Sequence, residues 1–189
     1  EGDKLELDSY RDSVNVYGGI KTPGGDFSGS FTRRFDLDDN GDIQVEHVFL
    51  KVPEDARGAG FGQEFIRQSE NYYITHGVKR VNVGTGLDDG GYHWAKAGFK
   101  WDTSKDENEA VGDVDSALDN YFYDNSSIMS EISDIQGRMA LTAWGDDDYP
   151  SPSEIADIGI EFKEDNMWAG KEILSGTAWY GTKEMVPED

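Results

Sequence analysis

Hydrophobic and polar positions alternate through the first quarter of the chain, a pattern typical of half-buried β-strands. Two imperfectly alternating runs span Ser13 to Lys21 and Ser28 to Leu37, and a longer, more apolar run spans Ile43 to Val52. The segment 38–42, between the second and third runs, contains an Asn-Gly pair. Because both residues tolerate positive φ, this segment predicts a β-hairpin turn.

After the third strand the pattern changes to a helical period. Helical spacing of apolar residues predicts an amphipathic helix over Gly62 to His76, and Gly77 is a natural stop. The following segments predict a strand, a short helix and another strand: Val78 to Val83, Tyr92 to Ala97 and Phe99 to Asp102. This alternation of strands and helices indicates an α/β core.

The second half of the chain is predicted to be rich in helices. Apolar residues share one helical face over 111–122 and another over 128–139. Ser151 and the Pro and Glu that follow it have the spacing of a capping box and predict a helix that ends near Ile158. The run from Trp168 to Met185 contains interspersed glycines, and its pattern fits a helix or a strand.

The charged segment 103–109 marks the predicted boundary between the two halves. We therefore expect an α/β core in residues 1–105 and a helical C-terminal extension in residues 106–189 that packs on the core. Tryptophans and a tyrosine in the extension are expected to make that packing, although they also suit a ligand groove: Trp144, Trp168, Trp179 and Tyr180.

Composition narrows the classes of function. The 189 residues include 39 Asp and Glu against 17 Lys and Arg, a formal net charge of −22. Such a surface repels nucleic acids and anionic membranes, so we expect direct binding to neither. No apolar run approaches the roughly 20 residues that span a bilayer, and we expect a cytoplasmic protein. The acidity fits a solvated surface, as in proteins of salt-rich cytoplasm, and it also fits a mimic of DNA.

The absence of cysteine excludes further chemistry. Without Cys, the chain has no disulfide, thiolate nucleophile or Cys-ligated zinc. The three histidines, His47, His76 and His93, lack metal-ligand spacing, so no metal site is expected. Ser127, Ser130 and Ser133 follow helical spacing but have no histidine nearby, and a hydrolase triad is not indicated.

A glycine-rich segment between a strand and a helix is the strongest chemical signal. It consists of Arg57-Gly58-Ala59-Gly60-Phe61-Gly62. Glycines let backbone N–H groups approach a ligand closely, and a helix N-terminus adds partial positive charge. The combination suits an anion such as a pyrophosphate, whereas the glycine spacing matches neither a Walker loop nor a G-x-G-x-x-G motif.

Two motifs together resemble the GNAT superfamily of acetyl-CoA-dependent N-acetyltransferases. The acetyl-CoA signature of that family is Arg or Gln, two residues, Gly, one residue, and Gly or Ala. Arg57, Gly60 and Gly62 fit this signature. Downstream, Trp94 to Phe99 resembles the Tyr-x-x-x-Gly-Phe stretch of the family. The resemblance covers about residues 44–101.

The resemblance implies a mixed, mostly antiparallel sheet flanked by helices, with acetyl-CoA as the cofactor. The pantetheine arm would lie where the strand 44–50 splays from the strand 80–83, and glycine-loop N–H groups would hold the pyrophosphate. The cofactor-binding residues implied are Phe49, Leu50, Arg57, Gly58, Ala59, Gly60, Phe61 and Gly62.

The resemblance also implies transfer of an acetyl group directly to a primary amine. Glu46 is the candidate base, and Tyr92 and His93 are candidate acid or base groups. Without Cys an acetyl-cysteine intermediate is excluded. The acidic surface favours a small cationic amine, such as a polyamine or an aminoglycoside, or a Lys-bearing peptide.

Two departures from the family pattern keep other functions open. Trp94 occupies the position of the usual general-acid Tyr, and only about a dozen residues precede the first predicted strand, where the family has a strand and two helices. One alternative is a catalytically inactive GNAT-like module of a larger phage or mobile-element protein. Another is an acidic DNA-mimic inhibitor.

Overall fold

A computed structural model describes the chain over residues 5–10, 13–21, 27–58, 60–86, 90–124, 127–162 and 167–186. Its side chains are described over the same ranges except at 5–10, 27, 55 and 122–124. The chain forms two compact units. The first consists of Glu1–Val83 and Lys183–Asp189, and the second of Gly84–Thr182.

The first unit is a mixed sheet with one long helix. Its strands lie side by side in the order in which they occur in the chain; the first three pairings are antiparallel and the last is parallel. This arrangement confirms the predicted mixed, mostly antiparallel sheet. Its elements are β1 (Leu5–Tyr10), β2 (Ser13–Lys21), β3 (Phe27–Leu37), β4 (Ile43–Lys51), α1 (Phe61–Thr75) and β5 (Val78–Gly84).

The predicted hairpin between β3 and β4 is confirmed. Gly41 has φ of +82°, and Asp38 accepts hydrogen bonds from the backbone N–H groups of Asn40 and Asp42, both at 2.9 Å. These bonds, with that from Asp42 first, lower the pKa of Asp38. In contrast, β1 was not predicted, although its alternating sequence LELDSY carries the period of a strand.

One face of the sheet packs against α1. Because side chains alternate along a strand, Phe31 and Phe35 of β3 point to the same face. Their rings lie 5.3 Å from Phe65 and 6.0 Å from Tyr73 of α1, measured between centroids. Val45 of β4 is fully buried there too. Aromatic contacts therefore anchor the helix that follows the glycine loop.

The second unit is rich in helices. Two short strands, Lys100–Trp101 and Tyr180–Glu184, pair in antiparallel with Trp101 opposite Gly181. The last two residues of the second strand belong to the first unit. The buried core includes Leu118, Ile132 and Ile173. The elements are α2 (Gly90–Lys96), β6 (Lys100–Trp101), α3 (Glu107–Val111), α4 (Val114–Asp124), α5 (Met129–Leu141), α6 (Pro152–Asp157), α7 (Ala169–Leu174) and β7 (Tyr180–Glu184).

Local signals explain where this unit differs from the sequence-based elements. Asp106 caps α3 by accepting a hydrogen bond from the backbone N–H of Glu109, so a helix begins inside the segment predicted to be a linker. Gly112, with φ of +58°, divides the predicted helix 111–122. The pattern of 168–185 fitted a helix or a strand, and the segment contains one of each: α7 ends before Gly176, and β7 follows it.

The predicted capping box at Ser151 is confirmed. Its hydroxyl accepts a hydrogen bond from the backbone N–H of Glu154, whose carboxylate accepts one from the N–H of Ser151. The compact units divide after Val83, and the domain boundary near residue 105 stays a prediction.

None of the described helices is long and apolar enough to cross a lipid bilayer.

Two helical glycines allow a matched test of packing between α6 and α7. A Cβ at Gly170 would lie 2.2 Å from the carbonyl oxygen of Ile155, whereas a Cβ at Gly137 of α5 would meet nothing within 4 Å. We expect Gly170→Ala to lower the free energy of unfolding by about 1–3 kcal/mol. Gly137→Ala should raise it by up to about 1 kcal/mol because Ala favours the helix. Urea unfolding of both variants would measure this, and equal effects would contradict the packing described.

Candidate cofactor-binding site

The carboxyl end of β4 extends beyond its pairing with β5. The parallel ladder ends at His47 opposite Val83, while β4 continues to Lys51 and remains paired with β3 on its other edge. In the described part of the chain, residues 48–51 have no β5 partner. We call this open edge of β4 the fork. Unpaired strand edges can bind an extended ligand through backbone hydrogen bonds.

A β-bulge lies at the base of the fork. Thr32 is opposite Phe49 and Arg33 is opposite His47, so Val48 is an extra residue in β4. The two predicted pantetheine-binding residues follow the bulge: Phe49 is 37% exposed and Leu50 is half-buried.

The glycine loop connects the fork to α1. After one turn of 3₁₀-helix over Glu54–Ala56, Gly58 has φ of +74° and Gly60 has φ of +81°. Such values favour glycine, because an L side chain rarely adopts them. A Cβ at either position would meet nothing within 4 Å, so the space before the loop is open. A ligand can therefore approach the backbone of this loop closely.

The N-terminus of α1 faces this loop without a side-chain cap. Gly60 is the N-cap residue and supplies no side chain, and Phe61 and Gly62 form the first helical turn. The first N–H groups of a helix have no acceptor within the helix, and together with the helix dipole they favour an anion. The loop and the 15-residue helix thus form an anion-binding geometry.

Charged side chains near this turn are arranged to tolerate an anion. Glu64 is the acidic residue of the first turn, but Arg67 donates to both of its carboxylate oxygens at 2.9 and 2.6 Å, and Gln68 donates at 2.7 Å. The bonds from Arg67, then Gln68, lower the pKa of Glu64 to about 2. Its charge is therefore directed to the next turn of the helix.

Arg57 is exposed, and its Nε donates to the carbonyl oxygen of Val52 at 3.3 Å. This bond closes the loop against the end of the fork and leaves the guanidinium at the surface. Ala59, the remaining predicted loop residue, lies outside the described residues.

The two neighbouring titratable residues of β4 point to opposite faces of the sheet. Glu46, the predicted base, is on the face away from α1 and lies 2.6 Å from Nη2 of Arg34, with a third of its side chain exposed. His47 is buried on the α1 face, where its Nε2 shares a 3.1 Å hydrogen bond with the hydroxyl of Tyr73. Only Glu46 is accessible to an acceptor from solvent.

His47 belongs to a buried polar cluster that sequence reasoning missed. Burial, and then the positive charge of Arg33, holds the pKa of His47 well below 6.5, and burial raises the pKa of Tyr73. Arg33 is only 2% exposed. The signal was present, because alternation places Arg33 between Phe31 and Phe35 on the apolar face of β3.

The other two predicted catalytic residues lie on α2, in the second unit. Tyr92 is half-buried, its ring lies 5.4 Å from that of Trp168, and burial raises its pKa. His93 is exposed. Trp94 is 9% exposed and packs 5.2 Å from Phe99, so it forms part of the core.

Those predicted cofactor-binding residues that the structure describes lie on one strand, the loop after it and the start of α1, and Glu46 lies earlier on the same strand. Tyr92 and His93 are described only within their own unit, and the assignment of site residues stays a prediction.

No protein-family model matches the sequence, and no curated protein matches it. Similar solved structures include an acetyltransferase from Bacillus cereus, 17% identical with a TM-score of 0.37, which covers 47% of this chain and 59% of that one. AtaTR bound with AcCoA is 16% identical with a TM-score of 0.40, covering 52% and 64%. Nourseothricin acetyltransferase is 14% identical with a TM-score of 0.35, covering 48% and 52%. Each similarity covers part of this chain, and this chain spans under two-thirds of each of these structures.

The buried state of His47 predicts a pH dependence of stability. Because its pKa is well below 6.5 in the folded state, the unfolded chain binds a proton at this residue first as the pH falls. The contribution of His47 to the free energy of unfolding should be constant above about pH 6.5. Below that pH it should decrease by up to about 1.4 kcal/mol per pH unit. Between pH 7 and 5, the free energy of unfolding measured with urea should change less with pH in His47→Gln than in the unchanged chain. His76→Gln, at an exposed position, is the control; an unchanged slope in His47→Gln would contradict the buried neutral imidazole.

Proposed function

We propose that the first unit binds acetyl-CoA and that the protein is an N-acetyltransferase acting on a primary amine. The observation that supports this most is the continuity of the fork, the open glycine loop and the uncapped N-terminus of α1. A long, partly peptide-like ligand with a pyrophosphate needs an unpaired strand edge followed by an anion site. The chain supplies these two features in that order along one segment.

The proposed binding mode assigns a role to each part of the segment. Backbone groups of Leu50 pair with the amides of the pantetheine arm, and the exposed part of the Phe49 side chain contacts the arm. N–H groups around Gly60 and at the start of α1 hold the pyrophosphate. Arg57, exposed beside them, contributes positive charge to the phosphates.

When bound, acetyl-CoA supplies an acetyl group activated as a thioester. The acceptor nitrogen must lose one proton to a base before it can attack the acetyl carbonyl carbon. It loses a second proton as the C–N bond replaces the C–S bond, which balances the proton that the departing CoA thiol would carry. Glu46 is the proposed base for the first proton, acting directly or through water. Tyr92 and His93 are candidates for the proton donor. A phenol carries its proton at neutral pH, and burial raises the pKa of Tyr92 further.

The acceptor is proposed to be a small cationic amine, such as a polyamine, or a Lys-bearing peptide. The net charge of −22 attracts cations to the whole surface at low ionic strength. The same charge repels nucleic acid, so no direct nucleic-acid binding is proposed.

A second candidate is a binding module without catalytic activity. The burial of Trp94 against Phe99 favours it, because the indole at the position of the usual acidic Tyr is a packing residue and cannot protonate a thiolate. Such a module would bind acetyl-CoA and leave amines unmodified.

Gly62 permits a test of the anion site that separates binding from folding. A Cβ there would lie 3.7 Å from Val52, an ordinary contact, so side chains are tolerated. Glu at this position would place a negative charge in the first turn of α1, which stabilises the helix but repels a phosphate. We expect Gly62→Glu to weaken acetyl-CoA binding by about tenfold or more, measured by calorimetry at low salt and in molar KCl.

Gly62→Ala is the matched control, and it should bind nearly as well as the unchanged chain. Thermal unfolding should show Gly62→Glu to be no less stable than Gly62→Ala. Saturable binding that is the same in all three proteins would place the cofactor elsewhere. No binding by the folded unchanged chain at either salt concentration would overturn the proposed function.

Replacing the proposed base tests the reaction itself. Glu46→Gln removes the proton acceptor, and we expect the acetylation rate of a polyamine to fall by about 100-fold or more at pH 7.5 with unchanged affinity for acetyl-CoA. Glu184→Gln, at an exposed carboxylate that pairs with Arg80, is the control. Release of CoA thiol measures turnover. Binding without any turnover in the unchanged chain, across polyamines, aminoglycosides and Lys peptides, would favour the inactive module.

A further inference from the structure

A buried arginine lies beside the bulge at the base of the fork. Nη1 of Arg33 donates hydrogen bonds to the carbonyl oxygens of Thr32 at 2.9 Å and Phe49 at 2.8 Å. Thr32 and Phe49 are opposite each other in the β3–β4 ladder, directly after the extra residue Val48. The side chain therefore ties the two strands together where their register shifts.

Packing alone does not account for an arginine at this position. Burying a guanidinium is costly unless its charge is compensated, and an apolar side chain of similar volume would fill the space at lower cost. Among the described residues, no carboxylate forms an ion pair with Arg33. Its Cζ lies 5.6 and 5.7 Å from the ring centroids of Phe31 and Phe65. Burial lowers its pKa, and only the neighbouring Tyr73 opposes that effect.

The hydrogen bond to Phe49 sets the direction of the backbone in the fork. Carbonyl groups of successive residues in a strand point to opposite edges. Because the Phe49 carbonyl is directed to Arg33 on the β3 side, the Leu50 carbonyl is directed to the edge that β5 leaves open.

We infer that Arg33 is a positioning residue for the cofactor: by holding the Phe49 carbonyl it fixes the bulge and directs the backbone groups of Leu50 into the fork. This inference rests on the proposed function and adds a residue that touches neither the cofactor nor the acceptor. It requires that the charge and donors of Arg33 matter for binding beyond the space that the side chain fills.

Two substitutions separate these contributions. Arg33→Met keeps much of the volume and removes the donors, whereas Arg33→Lys keeps a charged donor. In calorimetric titrations with CoA, we expect Arg33→Met to bind about fivefold more weakly, as the loss of a charge-assisted hydrogen bond implies. Arg33→Lys should stay within about twofold of the unchanged chain. Arg80→Met, which removes an exposed pair with Glu184 on β5, should have no effect.

The inference is overturned if Arg33→Met binds CoA as tightly as the unchanged chain. It is also overturned if Arg33→Lys is as weak as Arg33→Met, since the loss would then reflect altered packing and not the missing donor.

A measurement on the unchanged chain decides the matter if Arg33→Met does not fold. The Nε–H resonance of Arg33 is assigned in ¹⁵N NMR spectra by its absence in Arg33→Lys, and the amide of Gly62 reports on the anion site. Addition of CoA should shift both resonances. A shift of Gly62 with Arg33 unchanged overturns the positioning role while leaving the proposed function intact. No shift of either, with CoA present at millimolar concentration, overturns the proposed function and this inference together.

Discussion

The parallel pairing of β4 with β5 is the constraint on which the candidate site depends. Two parallel strands require a crossover connection, and here α1 makes it. The crossover must begin at the carboxyl end of β4, so the glycine loop and the start of α1 necessarily lie beside the fork. A ligand that uses the open strand edge therefore meets the helix N-terminus next. The place of the candidate anion site follows from the topology of the sheet, and the space at the glycines 58 and 60 is open.

The bulge at Val48 divides β4 into two segments that differ in their pairing. Before the bulge, the strand is fully paired and presents Glu46 to one face and His47 to the other. After the bulge, its backbone is paired on one edge only. Arg33 donates a hydrogen bond to the carbonyl oxygen of Phe49, the residue that follows the bulge. A single irregularity thus separates the segment proposed for proton transfer from the segment proposed for cofactor binding.

Sequence reasoning predicted the elements that have strong local signals. The Asn-Gly turn, the helix stop at Gly77 and the capping box at Ser151 are each written in a few adjacent residues, and each is confirmed. The helix over 111–122 was placed by apolar period alone, and the period does not reveal that Gly112 interrupts it. The segment 168–185 stayed undecided because one apolar run holds a helix and a strand, separated by Gly176.

For the candidate site, sequence reasoning located the glycine loop between β4 and α1, because the spacing of its glycines identifies it. It missed Arg33 and Tyr73, since their importance arises from tertiary contacts across β3, β4 and α1. An arginine is expected at the surface from its residue type alone, and only its position on the apolar face of β3 indicates that it is buried. The net charge of −22 did not help either, because one buried cation changes it by a single unit.

Hydrogen exchange of the full chain, measured by mass spectrometry with and without acetyl-CoA, tests the central claim most directly. If the fork, the loop and the start of α1 form the cofactor site, exchange should slow in peptides covering residues 48–52 and 58–65. Peptides from α5 should be unaffected. Saturating acetyl-CoA that leaves the exchange of residues 48–65 unchanged, in a chain shown to be folded, would contradict the account.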